Sequence, residues 1–154
     1  MILGLVAELI VFLVSYILHP EIENAFRYAA RYSGRLSLVI FLYGFYLYTF
    51  FHPKPLSENI QSRNSIKLFA ILHMIHFGFL ATNVYLNAIE LVPIKLLGGC
   101  AAYLMIIVAP FKLHKLSFIK QLIYFYYVSL VMILTYVARV KGDFEGAEPF
   151  WFHY

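Results

Sequence analysis

Five apolar segments, each close to the length needed to cross a lipid bilayer, constrain this chain more than any other feature. A transmembrane helix needs about 20 mostly apolar residues, and it satisfies its own backbone hydrogen bonds. The alternating apolar and polar positions of a membrane β-barrel do not occur in these segments. The sequence therefore predicts an all-α fold, a polytopic membrane helix bundle with five transmembrane helices: Ile2–Leu18, Leu36–Phe51, Ile66–Leu86, Leu91–Ala109 and Phe118–Val140.

The composition also favours a membrane location. Hydrophobic residues make up 62% of the 154 residues and charged residues 13%, whereas soluble domains are typically about 45–50% apolar. The second helix is expected to start earlier than its apolar run, near Pro20 or Glu21, because proline suits the first turn of a helix. We expect one bundle over residues 1–141 and a polar and aromatic tail over residues 142–154.

Two histidines lie one helical turn apart in the third segment. They belong to one helix face, formed by Phe69, His73, His76, Leu80, Asn83 and Asn87. Polar side chains are costly in lipid, so this face has to be turned toward protein or a cavity. It is either a hydrogen-bonded seam between helices or a ligand site. Two histidines at i and i+3 can share one metal ion, but they cannot take the two faces of a single haem.

Glu8 on the first helix is the candidate acidic partner of these histidines. At 1.5 Å rise per residue it lies about as deep in the bundle as His73. A buried carboxylate beside an imidazole orients the ring and strengthens it as a ligand. The sequence thus offers a metal site of His73, His76 and Glu8 for Zn, Fe or Cu. The alternative is that the Glu8 side chain extends to the membrane surface.

Three arginines mark the start of the second helix. Arg27, Arg31 and Arg35 recur at i, i+4 and i+8, and their guanidinium groups suit phosphate or carboxylate groups. Lipid headgroups are the default partner, and haem propionates or an anionic substrate are the functional alternative. On the fifth helix, Tyr124 and Tyr127 are candidates to line a cofactor pocket.

The residues also exclude several kinds of chemistry. The single cysteine, Cys100, rules out an intrachain disulfide and a cysteine metal cage. The basic residues lie in loops and at helix ends, as membrane topology requires, so they predict no nucleic-acid partner. Neither a nucleophile elbow nor a phosphate-binding loop occurs, so hydrolytic and nucleotide chemistry have no support.

Short motifs spread over roughly Arg27–Arg139 carry a family resemblance. They are Ala29–Leu38 (AARYSGRLSL), Arg63, Phe69–Phe77 (FAILHMIHF), and Gly98 and Gly99 followed by Tyr103. Together they resemble the ferric-reductase-like transmembrane proteins, which include small bacterial b-type cytochrome-like proteins. The resemblance implies haem b held between helices, with His73 as an axial ligand and His76 beside it. It also implies an integral location in a bacterial inner membrane.

The chain departs from the family pattern at the other haem positions. The histidine expected on the fifth helix is missing, with Gln121 near its place, and a second histidine of the third helix corresponds to Asn87. The resemblance therefore implies one modified haem site, a non-haem metal site, or a scaffold that has lost its cofactor. Its electrons would come from quinol or from a redox partner protein.

These observations predict a small membrane haem-binding redox or sensor protein, a component of a membrane oxidoreductase, with a helix-three histidine as axial ligand. In this interpretation Arg27, Arg31 and Arg35 anchor carboxylates. Two alternatives stay open. One is a membrane metal protein or metalloenzyme built on His73, His76 and Glu8. The other is a non-catalytic membrane subunit whose polar face binds a partner helix, in an oligomer or a larger assembly.

Overall fold

The computed structural model describes residues 2–50 and 55–140, apart from the side chains of Lys95, Arg139 and Val140. Within these ranges the chain forms five α-helices and one 3-10 turn over Leu113–Lys115, with no strand. The predicted all-α fold is confirmed, while the tail predicted over 142–154 lies outside the described residues. The helices are α1 Ile2–Leu18, α2 Ile22–Phe50, α3 Ile60–Leu86, α4 Pro93–Lys112 and α5 Phe118–Val140.

The first residues of α2 and α3 depend on local sequence features that hydropathy alone does not predict. Helix α2 starts at Ile22, directly after the Pro20 region, as expected from the proline. Helix α3 starts at Ile60, ahead of its apolar run, because the side chain of Asn59 accepts a hydrogen bond from the backbone N–H of Ser62 at 3.0 Å. This cap satisfies one of the free N–H groups of the first turn.

Three of the five helices, not all five, are long and apolar enough by themselves to cross a membrane: Ile60–Leu86, Leu96–Lys115 and Phe118–Ala138. Helix α1 is apolar but has only 17 residues. Helix α2 has 29 residues, and Arg27, Arg31 and Arg35 lie in its first half, which lowers its mean hydropathy. The predicted α-helical bundle is therefore confirmed, but three helices rather than five are long and apolar enough to span a membrane by themselves.

Helices α2 and α3 form the tightest pair of the bundle and run antiparallel. An added Cβ at Gly44 would lie 3.1 Å from the Cβ of Ser65, and one at Gly34 would lie 3.0 Å from Cε1 of His76. Beside Gly44, the Ser62 hydroxyl donates to its carbonyl at 3.1 Å. Small residues let the two backbones approach, and the short serine side chains use that approach for hydrogen bonds between helices.

Aromatic side chains join α4 and α5 to this pair. Phe41 of α2 is fully buried and packs on Phe69 and Phe125, with ring centroids 4.9 and 6.1 Å away. On the same side, the Tyr48 hydroxyl donates to Oε1 of Gln121 at 3.1 Å. The core of the bundle is therefore an aromatic layer, and it contains few polar contacts.

Helix α1 packs on the outside of α2 and α3. A Cβ at Gly4 would lie 2.8 Å from Leu68, and Phe12 stacks on Phe79 at 5.7 Å between ring centroids. The other side of α1 consists of exposed apolar residues such as Leu3 and Ile17, which are 84% and 73% exposed. Such a face suits lipid rather than water.

Asn59 connects two helices, so its substitution tests both contacts. Besides capping α3, its Nδ2 donates to the carbonyl of Leu47 at 3.2 Å. We expect Asn59→Ala to lower the free energy of unfolding by about 1–2 kcal/mol, because a buried carbonyl and an α3 N–H both lose their partner. Thermal unfolding in detergent, followed by circular dichroism, measures this. Asn59→Asp keeps the capping oxygen, so an equal loss in that variant would assign the effect to Leu47 instead.

Candidate functional site

The His73 imidazole is fixed by a hydrogen-bonded chain from α2. Its Nδ1 lies 3.0 Å from Oγ of Ser37, and the Ser37 hydroxyl lies 3.0 Å from the carbonyl oxygen of Gly34. If the serine donates to that carbonyl, its oxygen accepts the Nδ1 proton of His73, so the lone pair of the ring is on Nε2. This is the arrangement in which a metal-binding histidine is usually held, with one nitrogen donating and the other available to the metal.

His76 lies beside His73 on the same face of α3. The ring centroids are 5.2 Å apart and the ring planes make an angle of 42°. The two side chains are 8% and 9% exposed. Gly34 gives His76 its space, because a Cβ there would lie 3.0 Å from Cε1 and 3.4 Å from Nε2 of the ring. The sequence correctly predicted that both rings lie on the inward face of α3.

The far end of the same face forms a helix contact. Asn83 is buried, and the Asn87 amide nitrogen donates to the Asn83 side-chain oxygen at 3.1 Å. The side-chain oxygen of Asn87 accepts from Arg27, which also donates to Oδ1 of Asn24 at 3.2 Å. This part of the face is a hydrogen-bonded seam between α2 and α3, as one of the two interpretations predicted.

Glu8 is buried at the α1–α2 interface, where its exposed fraction is 2%. The side chain does not extend to the surface, and it lies against the hydroxyl of Ser33. Within the described ranges, no group of three His, Cys, Asp or Glu side chains is placed to hold a metal ion. Glu8 is therefore not brought together with His73 and His76 into the predicted three-residue set.

The three arginines of α2 have local partners. Arg27 bonds to Asn24 and Asn87 rather than to Glu23, the acid one turn before it. The guanidinium carbons of the other two lie over tyrosine rings of the same helix: Arg31 at 5.0 Å from Tyr28, and Arg35 at 5.7 Å from Tyr32. Tyr28 in turn stacks on His19 of the α1–α2 link, with ring centroids 3.7 Å apart. Nothing in these contacts directs the arginines toward His73.

The two predicted tyrosines do not lie against the histidines. Tyr124 is 3% exposed and sits in the aromatic layer beside Phe41, at 6.4 Å between ring centroids. The Tyr127 hydroxyl donates to the carbonyl of Gly98 at 3.1 Å and so joins α5 to α4. The tyrosine that does contact His73 is Tyr103 of α4, stacked at 4.9 Å and 27°.

Sequence reasoning used Ser33, Ser37 and Tyr103 only as part of the family resemblance and gave none of them a role at the site. The spacing of the two serines was a usable signal, because residues at i and i+4 lie on one helix face and Gly34 next to them permits a close approach. Tyr103 carried no such signal within its own helix, since its contact depends on the rotation of α4 against α3.

Aromatic rings pack closely around His73. Rings of Phe69, His76 and Tyr103 lie 5.1, 5.2 and 4.9 Å from the His73 ring, measured between centroids. A cofactor of that size occupies a site of several hundred Å³ between side chains. A haem held at His73 would require some of these rings to move. A single ion makes no such demand on space.

The comparisons with known proteins add no relative. No family model, no curated protein and no solved structure matches this chain. The resemblance to ferric-reductase-like proteins therefore rests on the short motifs alone, and function has to be argued from the site.

Proposed function

We propose that this chain is a polytopic membrane protein of redox or sensor type that binds one transition-metal ion, Zn, Fe or Cu, through His73 and His76. In this proposal all five helices cross the bilayer of a bacterial inner membrane. Helix α1 adds its apolar outer face, and α2 packs on α1, α3 and the aromatic layer while exposing apolar residues such as Val39 and Leu42. The resemblance to b-type cytochrome-like proteins supports the redox role, with quinol or a partner protein as electron donor.

One observation carries the proposal: the Ser37 hydroxyl is within hydrogen-bond distance of Nδ1 of His73. A buried imidazole in a membrane helix needs only one such bond to be tolerated structurally. The bond to Nδ1, continued to the Gly34 carbonyl, also selects the tautomer and orients Nε2. Imidazole nitrogens with this kind of support are the preferred protein ligands of Zn, Cu and Fe.

The spacing of the two rings suits a shared ion. An ion bound to one nitrogen of each ring at about 2.1 Å, with a tetrahedral angle between the bonds, puts the centroids about 5 Å apart. The observed separation is 5.2 Å. Two protein ligands leave further coordination positions for water, substrate or a partner's side chain, which is a property of catalytic and sensing sites rather than of closed structural ones.

The non-catalytic alternative has its own supporting observation. Asn83, Asn87 and Arg27 use the same face of α3 for contacts between helices, so a polar face here does not by itself imply a ligand. In that alternative the histidines only complete the seam. Substituting them would then weaken the bundle without changing its metal content.

Elemental analysis of the detergent-purified protein, together with its absorption spectrum before and after reduction, tests the proposal. We expect close to one Zn, Fe or Cu ion per chain, and at least about a tenfold loss of metal affinity in His73→Leu and His76→Leu. His19→Leu is the matched control, because His19 lies outside the pair and stacks on Tyr28. Metal that persists in both helix-three variants contradicts the proposal. A Soret band that depends on His73 would replace the ion by haem.

A further inference from the structure

Glu8 and Ser33 form a buried polar pair that metal binding by the histidines leaves unexplained. Glu8 is 2% exposed and Ser33 is 0% exposed. Neither carboxyl oxygen of Glu8 has a hydrogen-bond partner among the described residues. The same holds for the hydroxyl oxygen of Ser33. The Ser33 hydroxyl lies near the Glu8 carboxyl group without meeting hydrogen-bond geometry. Three buried polar atoms of the α1–α2 interface thus have no hydrogen-bond partner in the described ranges.

The surroundings of this pair are apolar on both sides. One turn before Glu8, Gly4 approaches α3; one turn after it, Phe12 contacts α2 and α3. The side chains that these two positions contact are Leu68, Leu72, Phe26 and Phe79. These contacts bring no charged side chain next to the pair.

The charged and titratable groups of the packed helices have other contacts. On α2, Arg31 and Arg35 lie over the rings of Tyr28 and Tyr32. On α3, His73 bonds to Ser37, and neither it nor His76 donates to Glu8. No described residue therefore compensates a negative charge on Glu8.

The inventory of donors and acceptors distinguishes the two protonation states of Glu8. An ionised carboxylate has about four lone-pair sites and would meet a single donor, the Ser33 hydroxyl. A protonated carboxyl group has one O–H donor and one carbonyl acceptor. The Ser33 hydroxyl can either accept a hydrogen bond from that O–H or donate one to that carbonyl oxygen. An unpaired ionised carboxylate in an apolar interior takes up a proton instead.

We propose that Glu8 and Ser33 form a proton-binding site between α1 and α2, in which the Glu8 carboxyl group holds an exchangeable proton. The ligand is the proton itself, rather than a metal cation or a basic side chain. Within the described residues Glu8 is not part of a metal-holding group with His73 and His76, so the proposal does not require a metal at the histidines.

Infrared difference spectroscopy of wild type against Glu8→Gln, in H2O and D2O at neutral pH, tests this. We expect the wild type to show the C=O band of a protonated carboxylic acid, shifted by D2O and missing in Glu8→Gln. On protonation of Glu8 we expect the Ser33 hydroxyl to close to hydrogen-bond distance of the carboxyl group, so Ser33→Ala should move the band to higher frequency. The control is Glu90→Gln, a change at an exposed loop acid, which should leave the band in place. A band that survives in Glu8→Gln, or only carboxylate bands in the wild type, overturns the proposal.

A second measurement needs no variant and so does not depend on the folding of Glu8→Gln. Dicyclohexylcarbodiimide is apolar and reacts with protonated carboxyl groups, so mass spectrometry should find the label on Glu8 and not on the exposed Glu58 and Glu90. Label confined to the exposed acids overturns the site. A saturable stabilisation of the protein by Na⁺ that is lost in Glu8→Gln also overturns the site, since the ligand would then be a metal cation.

Discussion

Gly44→Ala is expected to destabilise the bundle by about 1–3 kcal/mol, the usual effect of adding a methyl group where there is no room. The new Cβ would lie 3.1 Å from the Cβ of Ser65 and 3.8 Å from the backbone nitrogen of Ile66. These atoms are part of the α3 backbone or attached directly to it, so no side-chain rotation relieves the contact. Helices α2 and α3 would have to separate, and the Ser62 bond to the Gly44 carbonyl would lengthen. The measurement is the unfolding midpoint in detergent.

Gly78→Ala is the matched control for this prediction. A Cβ at Gly78 would meet nothing within 4 Å, and alanine restricts the unfolded chain more than glycine does. We expect no loss, or a gain of up to about 1 kcal/mol. A Gly44→Ala protein as stable as Gly78→Ala would mean that α2 and α3 are not in the close contact described.

Ser37→Ala should weaken metal binding by roughly 10–100-fold while the two histidines stay in place, because outer-shell partners of ligating histidines have effects of this size. The substitution removes the group that bonds Nδ1 of His73 and leaves that nitrogen buried among the rings of Phe69 and Tyr103. Competition with a chromogenic chelator gives the affinity, and the metal content at saturation should stay at one ion per chain.

Ser62→Ala separates this effect from general loosening of the helix pair. Ser62 is also a fully buried serine that bonds across the α2–α3 interface, to the Gly44 carbonyl, yet it makes no contact with a histidine. It should lower stability slightly and leave metal affinity unchanged. Equal losses of affinity in the two serine variants would show that Ser37 acts on packing and not on the imidazole.

The parts of the fold that could be predicted are those that a single helix determines. The apolar runs of α1 and α5 gave their bounds directly, and the 3–4 spacing of α3 gave its inward face. The ends of α2 and α3 depend on local chemistry, at Pro20 and Asn59. The number of helices with independent membrane-spanning character was overestimated, because the prediction used the apolar half of α2 and took the 17 residues of α1 as sufficient.

The contacts between helices were harder to predict, because they depend on register and rotation. Depth along the helix axis placed Glu8 level with His73, but the structure shows it against Ser33 on the neighbouring helix. Tyr124 and Tyr127 have the right chemistry for a pocket, yet the rotation of α5 puts one in the aromatic layer and the other against Gly98. Tyr103, which does reach His73, sits on a different helix.

Both imidazoles of the proposed centre project from a single helix, one turn apart. Their separation is thus set by the pitch of α3 and not by how neighbouring helices dock. An ion held in this way does not crosslink separate parts of the chain, and the pair of donors survives whenever α3 stays helical in the bilayer. Occupancy would consequently resist unfolding only through the share of the affinity that Ser37 of α2 supplies, since a ligand that also binds the loosened state shifts the equilibrium weakly. Metal could then be loaded and released without the bundle coming apart.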